Sequence, residues 1–164
     1  MLFNSLDFLV FFFIVLGAIG IFHYRKFQHL FIVFASYFFF YFSSNYLLSL
    51  LIFSTLLDYY IAKLIWKTQD KQTKKILLIT SLVGNLGLLG FFKYADFAIM
   101  QFNILGNQIN IGGDIPFLEL ALPIGISFYT FQTISYTVDV YRGKLEPSKS
   151  LREFSLFVAF FPQL

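Results

Sequence analysis

The chain has 164 residues, of which 58% are hydrophobic and 13% charged, with a mean hydropathy of +0.73 and Phe at 25 positions. A soluble domain carries about 25% charged residues, so this composition excludes an ordinary soluble fold and points to a chain that contacts lipid. The formal charge of +3 reads as a topology signal rather than a nucleic-acid one, and the absence of cysteine excludes disulfides, thiolate metal sites and palmitoylation.

In chain order, residues 8–22 form a first apolar run, which reaches membrane length when residues 2–7 join it. It lacks a basic n-region and a small-x-small cleavage site, so it reads as a retained membrane helix and not as a leader. A basic segment follows at 23–29, then a second run at 30–42 and a neutral Ser43-Ser44-Asn45 turn. Residues 46–66 supply about the 20 positions that a bilayer-crossing helix needs. A basic loop at 67–75 precedes a fourth run at 76–92. The stretch 93–116 contains Gly106, Gly112 and Gly113 and reads as an interfacial helix, around 97–102, plus a loop. The alternation Gln108-Ile109-Asn110-Ile111 also fits a small strand or hairpin. A fifth run spans 117–141, residues 142–152 are basic again, and another apolar run begins at Leu151.

The basic segments at 23–29, 63–75 and 142–152 follow spans one, three and five. The positive-inside rule makes all three cytoplasmic and places the N-terminus, the 43–45 turn and the 93–116 stretch outside. The expectation is an all-α, polytopic membrane helical bundle, about five transmembrane helices plus the start of a sixth, with the N-terminus outside.

Polar groups inside these spans carry the functional signal. Helical geometry, at roughly 100° per residue, gathers Gln132, Ser135, Asp139 and Arg142 within one sector of about 80° on the fifth span. Thr130, Thr133 and Thr137 form a second stripe. An ionisable group such as Asp139 inside a membrane helix costs about 2.5 to 3.5 kcal/mol on insertion scales, so such groups face protein or a water-filled cavity. Asp139 and Arg142 also fit a simple i,i+3 pair that finishes the helix at the interface. Pro123 and Gly125 stand at its other end, where a proline starts a helix or loosens its first turn. Asp58, beside Tyr59 and Tyr60, fits either a functional carboxylate or a structural partner for a neighbouring helix, with Lys63 snorkelling to the surface. Gly84, Gly87 and Gly90 suggest close helix packing. Tyr37, Tyr41 and Tyr46 read as interfacial aromatics or the lining of a cavity. His23 and His29, six apart, do not share a helical face as metal ligands at i,i+4 would, and no metal site is expected. Nucleotide loops and serine-nucleophile motifs are absent from the sequence.

Several segments carry a resemblance: Met1 to Phe12, Ala35-Ser-Tyr-Phe-Phe-Phe-Tyr41, Leu57-Asp-Tyr-Tyr60, Phe91-Phe-Lys-Tyr-Ala-Asp-Phe97, and above all Leu122-Pro-Ile-Gly-Ile-Ser-Phe-Tyr-Thr-Phe-Gln132 with Asp139-Val-Tyr-Arg-Gly143. In order over essentially the whole chain, they resemble the bacterial membrane-bound O-acyltransferase family, nearest to its alginate O-acetylation branch, with the D-alanylation protein of teichoic acids as a more distant relative. The resemblance implies a helical bundle around a chamber, where an acyl group from a cytoplasmic donor, acetyl-CoA or an acyl carrier, passes to an acceptor outside. No cofactor is expected to remain bound. It also implies the lipid bilayer of the bacterial cytoplasmic membrane as setting, a polysaccharide acceptor, and an extracytoplasmic acetyltransferase-type partner protein. The family's catalytic residue is a histidine well downstream of these motifs, and neither His23 nor His29 matches it, so no catalytic residue is assigned in this chain. Residues 1–164 are accordingly expected to be the N-terminal portion of one membrane domain, truncated at the C-terminus. The candidate chamber-lining residues are Ser127, Gln132, Ser135 and Asp139; Asp58 and Arg142 are candidate structural polar residues. A polar seam alone also fits a transporter or a non-enzymatic membrane scaffold, although no internal repeat of the kind transporters use is evident.

Overall fold

The computed structural model describes residues 6–21, 24–44, 47–108, 115–119 and 125–162. These hold six helices and no strand: α1 (Leu6–Ile21), α2 (Arg25–Ser44), α3 (Leu48–Lys67), α4 (Lys71–Gln108), α5 (Ile126–Tyr141) and α6 (Leu151–Ala159). Three of them, over Lys26–Ser44, Leu48–Lys67 and Lys71–Gln108, are long and apolar enough to cross a membrane. At 16 residues each, α1 and α5 extend only about 24 Å, short of the roughly 30 Å hydrocarbon core.

Local chemistry sets most boundaries. Gln28 Nε2 donates to the Ile19 carbonyl at 3.2 Å, so the start of α2 satisfies the end of α1. Most of the basic segment expected between spans one and two is therefore helix, from Arg25 onward. Between α3 and α4 the chain turns in three residues, and Asp70 caps α4. Its Oδ2 accepts from the Thr73 amide at 2.8 Å and from the Thr73 hydroxyl at 2.6 Å.

The largest departure from the sequence reading is α4. With 38 residues it is about 57 Å long, and it runs through Lys93 and the separate interfacial helix expected at 97–102 without interruption. Nothing in 93–108 stops a helix, because Gly106 lies in its last turn and the next proline is Pro116. The strand suggested at 108–111 is excluded at Gln108, which is helical; the other three positions lie outside the described residues. Residues 117–119, expected to open the fifth span, are instead non-helical, and with 115–116 they lie along the C-terminal half of α4. Asn103 exchanges two 2.9 Å hydrogen bonds with the Ile115 backbone, and Asp96 Oδ1 accepts from the Leu118 amide at 2.8 Å. Helix α5 begins only after Gly125, whose φ of 74° suits glycine. Pro123 lies outside the described residues.

One apolar core joins α3, α4 and α5 with α6 and α2, centred on Leu51, Ala62, Ile65, Tyr129 and Phe154. A second holds α1 to α2 through Val15, Ala35, Phe39 and Phe161. Phe161 packs edge-on to Phe11 at 5.3 Å, and its amide donates to the buried Ser36 hydroxyl at 3.2 Å. Of Gly84, Gly87 and Gly90 on α4, only Gly84 makes a close approach: a Cβ there would stand 2.8 Å from Leu57 Cδ2, while Gly87 and Gly90 have open space. Large apolar side chains such as Phe13, Val83 and Phe102 point outward, as a lipid-facing surface requires.

Candidate functional site

The centre of the α3–α4–α5 unit is polar. Ser54, Thr55 and Asp58 recur at helical spacing on α3, Ser81 and Asn85 on α4, and Thr130, Thr133 and Thr137 on α5, and all eight are buried. Asp58 Oδ1 accepts from the Ser81 hydroxyl at 2.5 Å and Oδ2 from Asn85 Nδ2 at 2.8 Å. Asn85 Oδ1 in turn accepts from the Ser54 hydroxyl at 2.5 Å. Thr133 and Thr137 face the same carboxyl from α5. The bonded set of Ser54, Asp58, Ser81 and Asn85 lies within the apolar layer, where a stranded polar group is expensive, and beside it the buried Thr137 Oγ1 makes no hydrogen bond among the described residues.

The opposite side of α5 is open. A groove of about 1060 Å³ runs between α5 and α6 and is bounded by the connecting loop. Its walls include Phe128, Phe131 and Phe157, and Ser127, Gln132, Ser135 and Asp139 line it as well. Its charged lining groups are Asp139, Glu146 and Glu153, all carboxyls. Gln132 is held by donating Nε2 to the Phe157 carbonyl at 2.7 Å, one of the last four carbonyls of α6. Its Oε1 is buried without a hydrogen-bond partner among the described residues, which leaves an acceptor beside the groove.

The two polar stripes read from the sequence thus part company. Thr130, Thr133 and Thr137 turn into the bundle, while Gln132, Ser135 and Asp139 turn to the groove, joined by Ser127 from one turn earlier. Arg142 is exposed just beyond α5, and its backbone amide donates to the Val138 carbonyl at 2.9 Å. Tyr37 and Tyr41 line a separate, almost wholly apolar groove of about 600 Å³ between α1 and α2. Tyr46 and His23 lie outside the described residues, and His29 sits in the second turn of α2. No group of three or more His, Cys, Asp or Glu suited to a metal ion occurs among the described residues.

Comparison with known proteins bears on what this arrangement is for. The peptidoglycan O-acetyltransferase of Helicobacter pylori is 34% identical over the whole of this chain, which covers 36% of that protein. A probable alginate O-acetylase of Pseudomonas syringae pv. tomato is 35% identical over 85% of the chain and 27% of its own length. Its namesake in Pseudomonas aeruginosa reaches 47% identity over 53% of the chain. The chain belongs to the membrane-bound O-acyltransferase family. It spans about a third of the length of the curated O-acetyltransferases it matches. No family model and no solved structure matches it.

In this chain the sequence reading singled out the stripe that faces the groove but missed Ser54, Ser81 and Asn85. The signal was available: Ser54 with Asp58, and Ser81 with Asn85, are i,i+4 pairs of hydrogen-bonding residues inside otherwise apolar spans. Of the groove's other lining residues, Glu146 comes from the 142–150 loop and Glu153 from α6, while Tyr136 stands on α5 itself.

Proposed function

We propose that the whole protein is an O-acetyltransferase of the bacterial cytoplasmic membrane. It moves an acetyl group from a cytoplasmic donor, acetyl-CoA or an acyl carrier, to an extracytoplasmic polysaccharide or other cell-envelope polymer. The similarity to proteins named for acetylating peptidoglycan and alginate supports the reaction class. The Lys- and Arg-rich segments at 23–29, 63–75 and 142–152 support an outward N-terminus and five spans followed by the start of a sixth. An acetyltransferase-type protein outside the membrane serves as the partner that delivers the group to the polymer.

The observation that carries the site reading is the row Ser127, Gln132, Ser135 and Asp139 facing a large groove on the helix that bears the family motif. In this role the four residues form one wall of the acyl-transfer chamber. They orient the reacting groups, and a general base outside this chain activates the acceptor hydroxyl. Asp58 and Arg142 act structurally, Asp58 by fixing α3 to α4 and Arg142 by standing at the cytoplasmic end of α5.

The test uses the full-length protein in its host, with Asp139→Asn and Gln132→Ala, measuring alkali-released acetate per unit polymer against protein level in the membrane. Each substitution is expected to lower acetylation about tenfold, the effect of losing one positioning interaction of about 1.4 kcal/mol. Unchanged acetylation at normal protein levels would remove these residues from the chamber.

A further inference from the structure

Tyr136 occupies an unusual place on α5, because it belongs to the groove wall and to the support of the groove's rim at once. Its ring is buried, 7% exposed, and packs against Phe154 at 4.5 Å and Phe157 at 6.1 Å between centroids. Its phenol oxygen accepts the backbone amide of Ser148 at 2.8 Å. Ser148 lies in the middle of the 142–150 loop that contributes Leu145 and Glu146 to the groove.

The two ends of that loop are fixed by local bonds. At the α5 end, Gly143 adopts a φ of 71°, its amide donates to the Val140 carbonyl at 3.0 Å, and the Lys144 amide donates to the Asp139 carbonyl at 3.0 Å. At the α6 end, the Ser150 hydroxyl accepts from the Glu153 amide at 3.3 Å. Ser148 is held from both sides: its hydroxyl donates to the carbonyl of Ser150, the N-cap of α6, at 3.2 Å, and its amide donates to Tyr136. Between the fixed ends, the hold that α5 has on the stretch carrying Leu145 and Glu146 therefore runs through the Tyr136 phenol.

We propose that Tyr136 is a positioning residue that holds the cytoplasmic rim of the α5–α6 groove, through Ser148, so that Leu145 and Glu146 meet the incoming acyl donor. This rests on reading the groove as part of the reaction path. Tyr136 makes no contact with reacting atoms in this role; it acts through the rim. Loss of its hydroxyl leaves the ring packing intact and lets the loop open more often, so capture of the donor weakens while the chemical step is unchanged.

The experiment compares full-length wild type and Tyr136→Phe in inverted membrane vesicles. Limited trypsin digestion reads loop opening at Arg142, Lys144 and Lys149, which are exposed. Loss of one neutral hydrogen bond predicts about two- to tenfold faster cleavage there, and a rise in KM of similar size for the acetyl donor that the wild type uses, with kcat held. In a Leu145→Ala/Glu146→Ala background, Tyr136→Phe should still speed cleavage but add little further to KM, because the rim it positions is gone. Unchanged cleavage overturns the proposal, as does a KM rise equally large in the rim-deleted background. Faster cleavage with unchanged KM overturns it too, and Asp139→Asn then separates the causes. If that variant is impaired, the groove reading stands and only the role of Tyr136 falls; if it is silent as well, the groove reading has failed.

Discussion

Replacing Asn85 by Ala should damage the fold far more than its modest size implies. The Asn85 amide makes three bonds in the buried network, from the Ser54 hydroxyl at 2.5 Å, to Asp58 Oδ2 at 2.8 Å and to the Ser81 carbonyl at 3.0 Å. At about 0.6 kcal/mol for each intramembrane hydrogen bond, their loss sums to roughly 2 kcal/mol. Stranding a buried carboxyl oxygen and a buried hydroxyl adds to this, at about 1–3 kcal/mol for each unsatisfied group, giving a total of about 4–8 kcal/mol. Ser54→Ala removes only the first bond and should cost about 0.5–1.5 kcal/mol. The decisive comparison is the double variant. Because the Ser54 hydroxyl bonds to Asn85 itself, Ser54→Ala should add almost nothing once Asn85 is gone. Equilibrium unfolding of the full-length protein in mixed micelles, titrated with a denaturing detergent, measures all three. If the double variant equals the sum of the singles within about 0.5 kcal/mol, the two side chains are not coupled and the network is wrongly drawn.

Two further outcomes follow from α4. Gly87→Ala has open space and should stabilise the helix by about 0.5–1 kcal/mol. Gly84→Ala must displace Leu57 Cδ2, the free end of a flexible side chain, and should fall below Gly87→Ala in the same unfolding assay; the reverse order would contradict the close approach. The Thr73 hydroxyl, and then the Thr73 amide, hold the Asp70 carboxyl below its ordinary value. Its folded-state value is therefore the lower one, so its capping contribution is complete above the unfolded value near 4 and fades as pH falls through the folded value. Amide-exchange protection at Thr73 and Lys74 should drop in that acid window and lose the step in Asp70→Ala; protection independent of pH in the wild type would refute the assignment.

How much of this was legible varies from residue to residue, for physical reasons. The helical architecture was readable because lipid permits few solutions for backbone polar groups, and long apolar runs such as 48–67 leave little choice. The extent of α4 was not readable. The polar positions Asp96 and Asn103 resemble loop chemistry in isolation, yet they serve as anchors for residues 115–119 lying alongside. The two stripes on α5 were both visible, but nothing local to α5 says which one turns inward. That is decided by Asp58, Ser81 and Asn85 on the helices opposite, whose hydroxyl, amide and carboxyl groups face Thr133 and Thr137. The groove was legible as a polar row and illegible as a volume, since Phe157 and Glu146 reach it from beyond the end of the helix.

The contact between Phe161 and Ser36 also sets a schedule for synthesis. The two residues are 125 positions apart, so at about 5–20 residues per second the ribosome needs on the order of 6–25 seconds between making them. Throughout that interval α1 and α2 are already available to the bilayer while the aromatic ring that completes their shared core does not yet exist. The first hairpin must therefore wait in lipid with Phe8, Phe11 and Phe39 only partly matched, and its final packing is closed by a ring in the turn that follows α6.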